Sequence, residues 1–240
     1  MLTALLLLAF GRVDAHDPAL LDPNRATAGI RLSLVEVASP PTSRSPAYRL
    51  EVNGAPRGVT FSVWTKEFGH SFHEVTGGFR MDDTGKLASV AQRDASPRYL
   101  EEMAFEPGPY FRGASWEVAL ASEDRTISAF TKVIPQPMVA RDGGCLLSLE
   151  LVSHRGDRFL ASGSGFVPGE IAVIESRYAG RISKKRRPAS REGRLPPDVI
   201  AHATSDADRR ARYSVKAQSC EVALDYQWGE EAFRRQPGRD

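Results

Sequence analysis

The amino-acid sequence predicts an all-β protein, two β-sandwich domains in tandem behind an export signal, on three observations. Short runs of alternating apolar and polar residues recur along the 240-residue chain, the period of a strand with one face buried. Turn-forming residues separate those runs at the spacing of a sandwich or barrel, and beyond the N-terminal segment no stretch holds a helical period. The alternation then breaks at Ile134-Pro135-Gln136-Pro137, where two prolines in alternate positions remove backbone donors and stiffen the chain into a connector.

In chain order, Leu2 to Phe10 is almost wholly apolar and leads to Val13-Asp14-Ala15. It is too short to span a bilayer as a helix, which needs about 20 residues, and small residues at positions 13 and 15 suit cleavage after Ala15. Residues 1–15 are therefore expected to be a signal peptide. No basic side chain precedes the apolar run, which leaves open an upstream start or a buried strand. No later stretch is long and apolar enough to span a membrane, so a soluble exported protein, periplasmic or extracellular, is expected.

Residues 16–27 read as a mobile tail, 28–135 as the first sandwich, 136–141 as a linker, 142–228 as the second sandwich and 229–240 as a C-terminal tail. Strands are expected at Ile30–Val37, Tyr48–Val52, Val59–Thr65, Phe79–Met81, Lys86–Val90, Trp116–Ala121 and Thr126–Val133. Asn53-Gly54 reads as a tight hairpin turn, because both residue types tolerate positive φ. Asp83-Thr84-Gly85 and Glu123-Asp124 read as further turns. After the turn Asp142-Gly143-Gly144, strands are expected at Cys145–Val152, Phe159–Ser162, Ile171–Ser176, Val199–Ala203, Arg212–Ala217 and Cys220–Tyr226.

Lys and Arg number 32 against 30 Asp and Glu, a net charge of +2 and a pI too mild to imply a nucleic-acid partner. Arginine greatly outnumbers lysine, a usage typical of GC-rich bacterial genomes. Neither asparagine, Asn24 nor Asn53, begins an N-glycosylation acceptor. In an exported chain the two cysteines, Cys145 and Cys220, are most simply a disulfide joining the first and last strands of the second domain. Free buried thiols are the alternative.

The segment Ser162-Gly163-Ser164-Gly165-Phe166-Val167-Pro168-Gly169-Glu170 resembles the strand, corner and strand of bacterial extracellular immunoglobulin-like modules. The glycines permit the backbone of a corner, Phe166 can plug the core, and Pro168-Gly169 suits a turn centre. The resemblance implies tandem immunoglobulin-like sandwiches of the kind that serve as adhesins, spacers or carbohydrate-binding appendages. It carries over no catalytic residue.

Charge is distributed unevenly. Arg177, Arg181, Lys184, Lys185, Arg186, Arg187, Arg191 and Arg194 stand against Glu192 alone, a local charge of +7 between positions 177 and 194. With Pro188, Pro196 and Pro197 nearby, the stretch reads as an exposed loop whose charge could recruit an anionic surface, a glycan or another protein. It equally fits a plain solvated loop, and it has no aromatic after Tyr178 on which a nucleic-acid base would stack.

The sharpest catalytic alternative is copper. Cleavage after Ala15 would make His16 the N-terminal residue, whose amine and imidazole, with one of His70, His73, His154 or His202, would form a three-nitrogen copper brace of the kind found in lytic polysaccharide monooxygenases. The bland reading places His16 in the tail. His70-Ser71-Phe72-His73-Glu74 matches neither HExxH nor HxxEH and reads as a surface loop. Asp82-Asp83, and Asp206 with Asp208, offer oxygens to Ca²⁺ but are equally explained as turn residues. Arg155-Gly156-Asp157 is expected from turn chemistry, and Trp116 and Trp228 are expected to be core or interdomain packing, with Trp64 open. GxSxG, P-loop, dinucleotide and CxxC motifs are all missing. The leading expectation is an exported, non-enzymatic binding, adhesion or surface-structural protein with no cofactor; a copper-dependent oxidative enzyme or copper-binding protein using His16 is the alternative.

Overall fold

The computed structural model describes residues 21–39, 45–89, 97–108, 111–203 and 208–234. The expected signal peptide, His16, Val90 and Asp206 lie outside them. The described chain is all-β, with 16 strands in four antiparallel sheets and short 3-10 turns.

In the first half, β1 (Arg31–Val37), β2 (Ala47–Asn53) and β6 (Ala104–Phe105) form a three-stranded sheet in the order β1-β2-β6. A five-stranded sheet runs β5-β4-β3-β7-β8, from β3 (Thr60–Lys66), β4 (His73–Met81), β5 (Leu87–Ser89), β7 (Trp116–Ser122) and β8 (Ser128–Val133). Leu50 and Tyr48 from the smaller sheet and Phe61, Val63, Phe79, Trp116 and Leu120 from the larger form one buried cluster. The larger sheet is covered on its other face too, where Leu21 and Phe72 pack on Trp64, Ala119 and Ala121. Strand β3 is consequently buried from Thr60 to Thr65.

Two expectations change here. Asn53-Gly54 does not close a hairpin, since β2 pairs with β1 and β6 while β3 pairs with β4 and β7. The dipeptide instead carries the chain from one sheet to the other. Gly54 has φ +81°, and a Cβ there would lie 2.2 Å from the Gly29 carbonyl oxygen, so close backbone approach, not hairpin geometry, selects glycine. Residues 21–27 were expected in a mobile tail, yet Leu21 is buried, 23–25 form a 3-10 turn capped by Asp22, and the Thr27 amide donates to the Ser128 carbonyl.

In the second half, β9 (Met138–Asp142), β10 (Cys145–Leu151), β11 (Arg158–Ser164) and β14 (Leu195–Ala201) form a sheet in the order β14-β11-β10-β9. Facing it, β12 (Ile171–Tyr178), β13 (Arg181–Pro188), β15 (Arg210–Lys216) and β16 (Glu221–Gln227) run β13-β12-β15-β16. Leu147, Leu149, Leu151 and Phe159 from one sheet and Ala172, Ile174, Val215 and Leu224 from the other share one core, a sandwich-like arrangement. Strand β10 alternates buried and half-buried residues along its whole length. Met138–Asp142, mostly expected in a linker, hairpins onto β10 through Gly143-Gly144. Gly229–Phe233, expected in a tail, is a 3-10 turn whose Phe233 ring meets Phe111 at 5.1 Å and Phe68 at 6.4 Å.

One side of this sandwich is fastened covalently. Cys145 opens β10, Cys220 immediately precedes β16, and the two form a disulfide. Beside it the Glu221 amide donates to Asp142 Oδ2 at 2.8 Å, tying β16 to the end of β9. The crosslink closes a loop of 75 residues, for which the chain-entropy model gives about 4 kcal/mol. The Cys145→Ala/Cys220→Ala double variant is therefore expected to lose about 4 kcal/mol of unfolding free energy in urea titration. A loss below about 1 kcal/mol would show that the crosslink does little to the unfolded ensemble.

Candidate functional site

The eight cations that the sequence groups between 177 and 194 fall on a hairpin, an edge strand and the turn that follows. Strand β12 alternates, with Ala172 and Ile174 buried against the core and Val173, Glu175 and Arg177 on the outer face. It ends at Tyr178, which pairs with Arg181 across the two-residue turn Ala179-Gly180. Both turn residues have positive φ, +46° and +73°, the backbone a tight hairpin with right-twisted strands requires. The stretch expected as a loop thereby becomes β13, paired with β12 from Arg181 to Pro188.

Every residue of β13 is exposed except Lys185, which is half-buried. Cross-strand register puts Lys184 beside Glu175 and Arg186 beside Val173 on the outer face, while Lys185 and Arg187 lie beside Ile174 and Ala172 on the core side. Lys184 Nζ is 2.8 Å from Glu175 Oε2, and Arg177 pairs with Oε1 of the same carboxylate. The Lys184 and Arg177 hydrogen bonds hold the Glu175 carboxyl below the usual range. Lys185 turns across the sandwich to Asp198 on β14, whose second oxygen accepts from the Tyr213 hydroxyl at 2.8 Å. Burial first, and Asp198 second, push the Tyr213 pKa well above its ordinary value. Among the described residues no carboxylate forms an ion pair with Arg186 or Arg187, and both side chains face solvent. Arg191 and Arg194 sit in the turn that follows, where Ser190 holds Glu192 by a 2.8 Å hydrogen bond and lowers its pKa.

At the turn end of the hairpin is a groove of about 560 Å³ lined by Arg177, Tyr178, Arg181, Ile182, Arg210 and Arg212, with Asp208 and Asp225. Among these, Arg212 meets Asp225 at 2.9 Å, Arg210 meets Asp208 at 3.3 Å, and Arg177 pairs with Glu175. Further along β13, Arg186 and Arg187 add exposed positive charge without a carboxylate partner among the described residues.

The other candidate residues scatter. His70 is exposed in a turn, His73 begins β4 with Nε2 3.2 Å from Thr65 Oγ1, and His154 packs its ring against Phe68 at 5.4 Å. Residue His73, expected in a surface loop, is thus a strand residue, and Phe72 beside it is buried. His202 is buried in the second core, stacked on Trp228 at 4.7 Å with Nε2 3.0 Å from the Tyr226 hydroxyl. No cluster of three His, Cys, Asp or Glu residues suited to a metal occurs among the described residues. Asp82 Oδ1 accepts from the Lys86 amide and from the Thr84 hydroxyl and amide, bonds of the β4–β5 turn that lower its pKa. Arg155-Gly156-Asp157 forms a turn in which Asp157 accepts from Ser153. Trp64, Trp116 and Trp228 are all buried, which leaves none as an exposed sugar platform.

No described helix is long and apolar enough to cross a membrane. Compared with protein-family models and with curated proteins, the chain matches none.

The Tyr213 hydroxyl gives an alkaline test of the Lys185–Asp198–Tyr213 link. Its folded pKa is raised above the ordinary 10.0, so the stabilisation is complete below pH 10 and declines above it, where only the unfolded chain loses the proton. The expected decline is about 1.4 kcal/mol per pH unit for one such group. In urea titrations above pH 10, Tyr213→Phe should flatten the wild-type decline by about that amount. An unchanged slope would show that the hydroxyl ionises freely in the folded protein.

Proposed function

We propose that the chain is an exported, disulfide-stapled, non-enzymatic binding module of tandem immunoglobulin-like sandwiches that presents β13 to an anionic partner. The observation that carries this reading is the pair of solvent-facing guanidiniums, Arg186 and Arg187, without a carboxylate among the described residues, on a strand exposed along both faces. Whole-chain charge is only +2, so the attraction is local: a surplus within a screening length of about 8 Å at physiological salt is felt by a docked ligand, not by a distant one.

Export is supported by the disulfide, a bond that persists in oxidising compartments. The immunoglobulin-like assignment is supported by how the 162–170 segment folds. It leads from β11 in one sheet to β12 in the other, Phe166 enters the core, and the Glu170 amide closes a turn onto Val167. The copper reading depends on His16, outside the described residues, and nothing in the placement of the other four histidines favours it.

On immobilised heparin at low ionic strength the protein should be retained and released by rising salt, and Arg186→Ser/Arg187→Ser should elute at clearly lower salt. Unfolding free energy should change by no more than about 0.5 kcal/mol, because both side chains are exposed. Identical elution of the two proteins would exclude β13 as the binding surface.

A further inference from the structure

The edges of the second-half sandwich are not equivalent. On the disulfide side, β16 lies beside β9 and β10. On the opposite side, β14 carries Pro196 and Pro197 in succession, and because successive amides point to opposite edges, the pair removes a donor from the edge that a neighbouring strand would need. Strand β13 differs from both. It has no proline from Arg181 to Arg187, and among the described strands it pairs with β12 alone. One row of its amide and carbonyl groups therefore points away from β12, and although β14 of the facing sheet lies close by, no strand among the described residues is hydrogen-bonded to that row.

The side chains decide what can use that row. Arg181, Lys184, Lys185, Arg186 and Arg187 place positive charge on both faces of the strand. A second copy of β13 laid against the first would set cations opposite cations, which destabilises cross-strand pairs. An acidic strand would meet Arg186 on one face and Arg187 on the other, and opposite-charge pairs across neighbouring strands are favourable. A sulfated or phosphorylated polymer would engage the same cations but leave the backbone row unused.

We propose that β13 accepts an extended acidic segment of another protein as an added strand of its sheet, with backbone hydrogen bonds supplying affinity and the cations selecting the partner. This rests on the reading of β13 as the anion-facing surface and specifies its partner and mode of binding.

The test is calorimetry of the intact protein with two peptides of equal length and charge, one alternating Glu and Val and the other alternating Glu and Pro. The Glu–Pro peptide lacks amide donors at its prolines and favours polyproline II over a strand. The Glu–Val peptide is expected to bind at least about tenfold more tightly, and Arg186→Ser/Arg187→Ser to weaken it by about three- to tenfold. Equal affinities, or retention on heparin with binding of neither peptide, overturn strand addition while leaving the anion-facing surface in place. Failure to bind heparin and both peptides overturns that surface and the proposal with it. Sedimentation of the free protein should show a monomer; a dimer that Arg186→Pro dissociates would seat a second copy on the edge and overturn the proposal.

Discussion

A strand charged on both faces cannot be buried, and the second half of the molecule is arranged around that constraint. Moving an ammonium or guanidinium out of water costs several kcal/mol even after relaxation, unless a partner ion compensates. Arg181–Pro188 therefore lies at a sheet edge, the one strand position where neither face need meet the core. Its neighbour β12 can then alternate normally, giving Ala172 and Ile174 to the core and Glu175 and Arg177 to the outer face. The same charges discourage self-pairing of the edge, a device natural sheets use against aggregation.

One cation of the strand departs from this rule and fixes its position. Lys185 is half-buried, and it is compensated by Asp198 on the opposite sheet, which also accepts from buried Tyr213. That chain of contacts ties the open side of the sandwich much as the disulfide and the Glu221–Asp142 hydrogen bond tie the other. Arg186 and Arg187 are consequently carried on an anchored strand, which lowers the entropy a ligand must overcome to order them.

The strands of regular alternation were legible in the sequence. β10, with Cys145, Leu147, Leu149 and Leu151 inward, is a one-sided pattern that the order of residues alone reveals. The disulfide followed from an even cysteine count together with the expected export. What could not be read depended on contacts distant in sequence. Gly54 answers to the Gly29 carbonyl, and β3 reads as buried on both faces only once Leu21 and Phe72 are laid over Trp64. Strand β13 was hidden because its one free apolar side chain, Ile182, offers no alternation, and because Ala179-Gly180 lacks the Asn-Gly or Asp-Gly signature of a tight hairpin. The two-residue gap between Tyr178 and Arg181 was the available signal.

The basic stretch was legible as charge but not as shape, and shape changes its chemistry. Read as a loop, eight cations form a diffuse attractor; as a strand, some are consumed internally and a few remain. Amide hydrogen exchange of the free protein across residues 181–188 tests this most directly. An open edge predicts alternation: amides bonded to β12 exchange slowly, and the intervening amides that face solvent exchange fast. Uniformly slow exchange would mean that the edge is already covered, and uniformly fast exchange that β13 does not form; either would contradict the account.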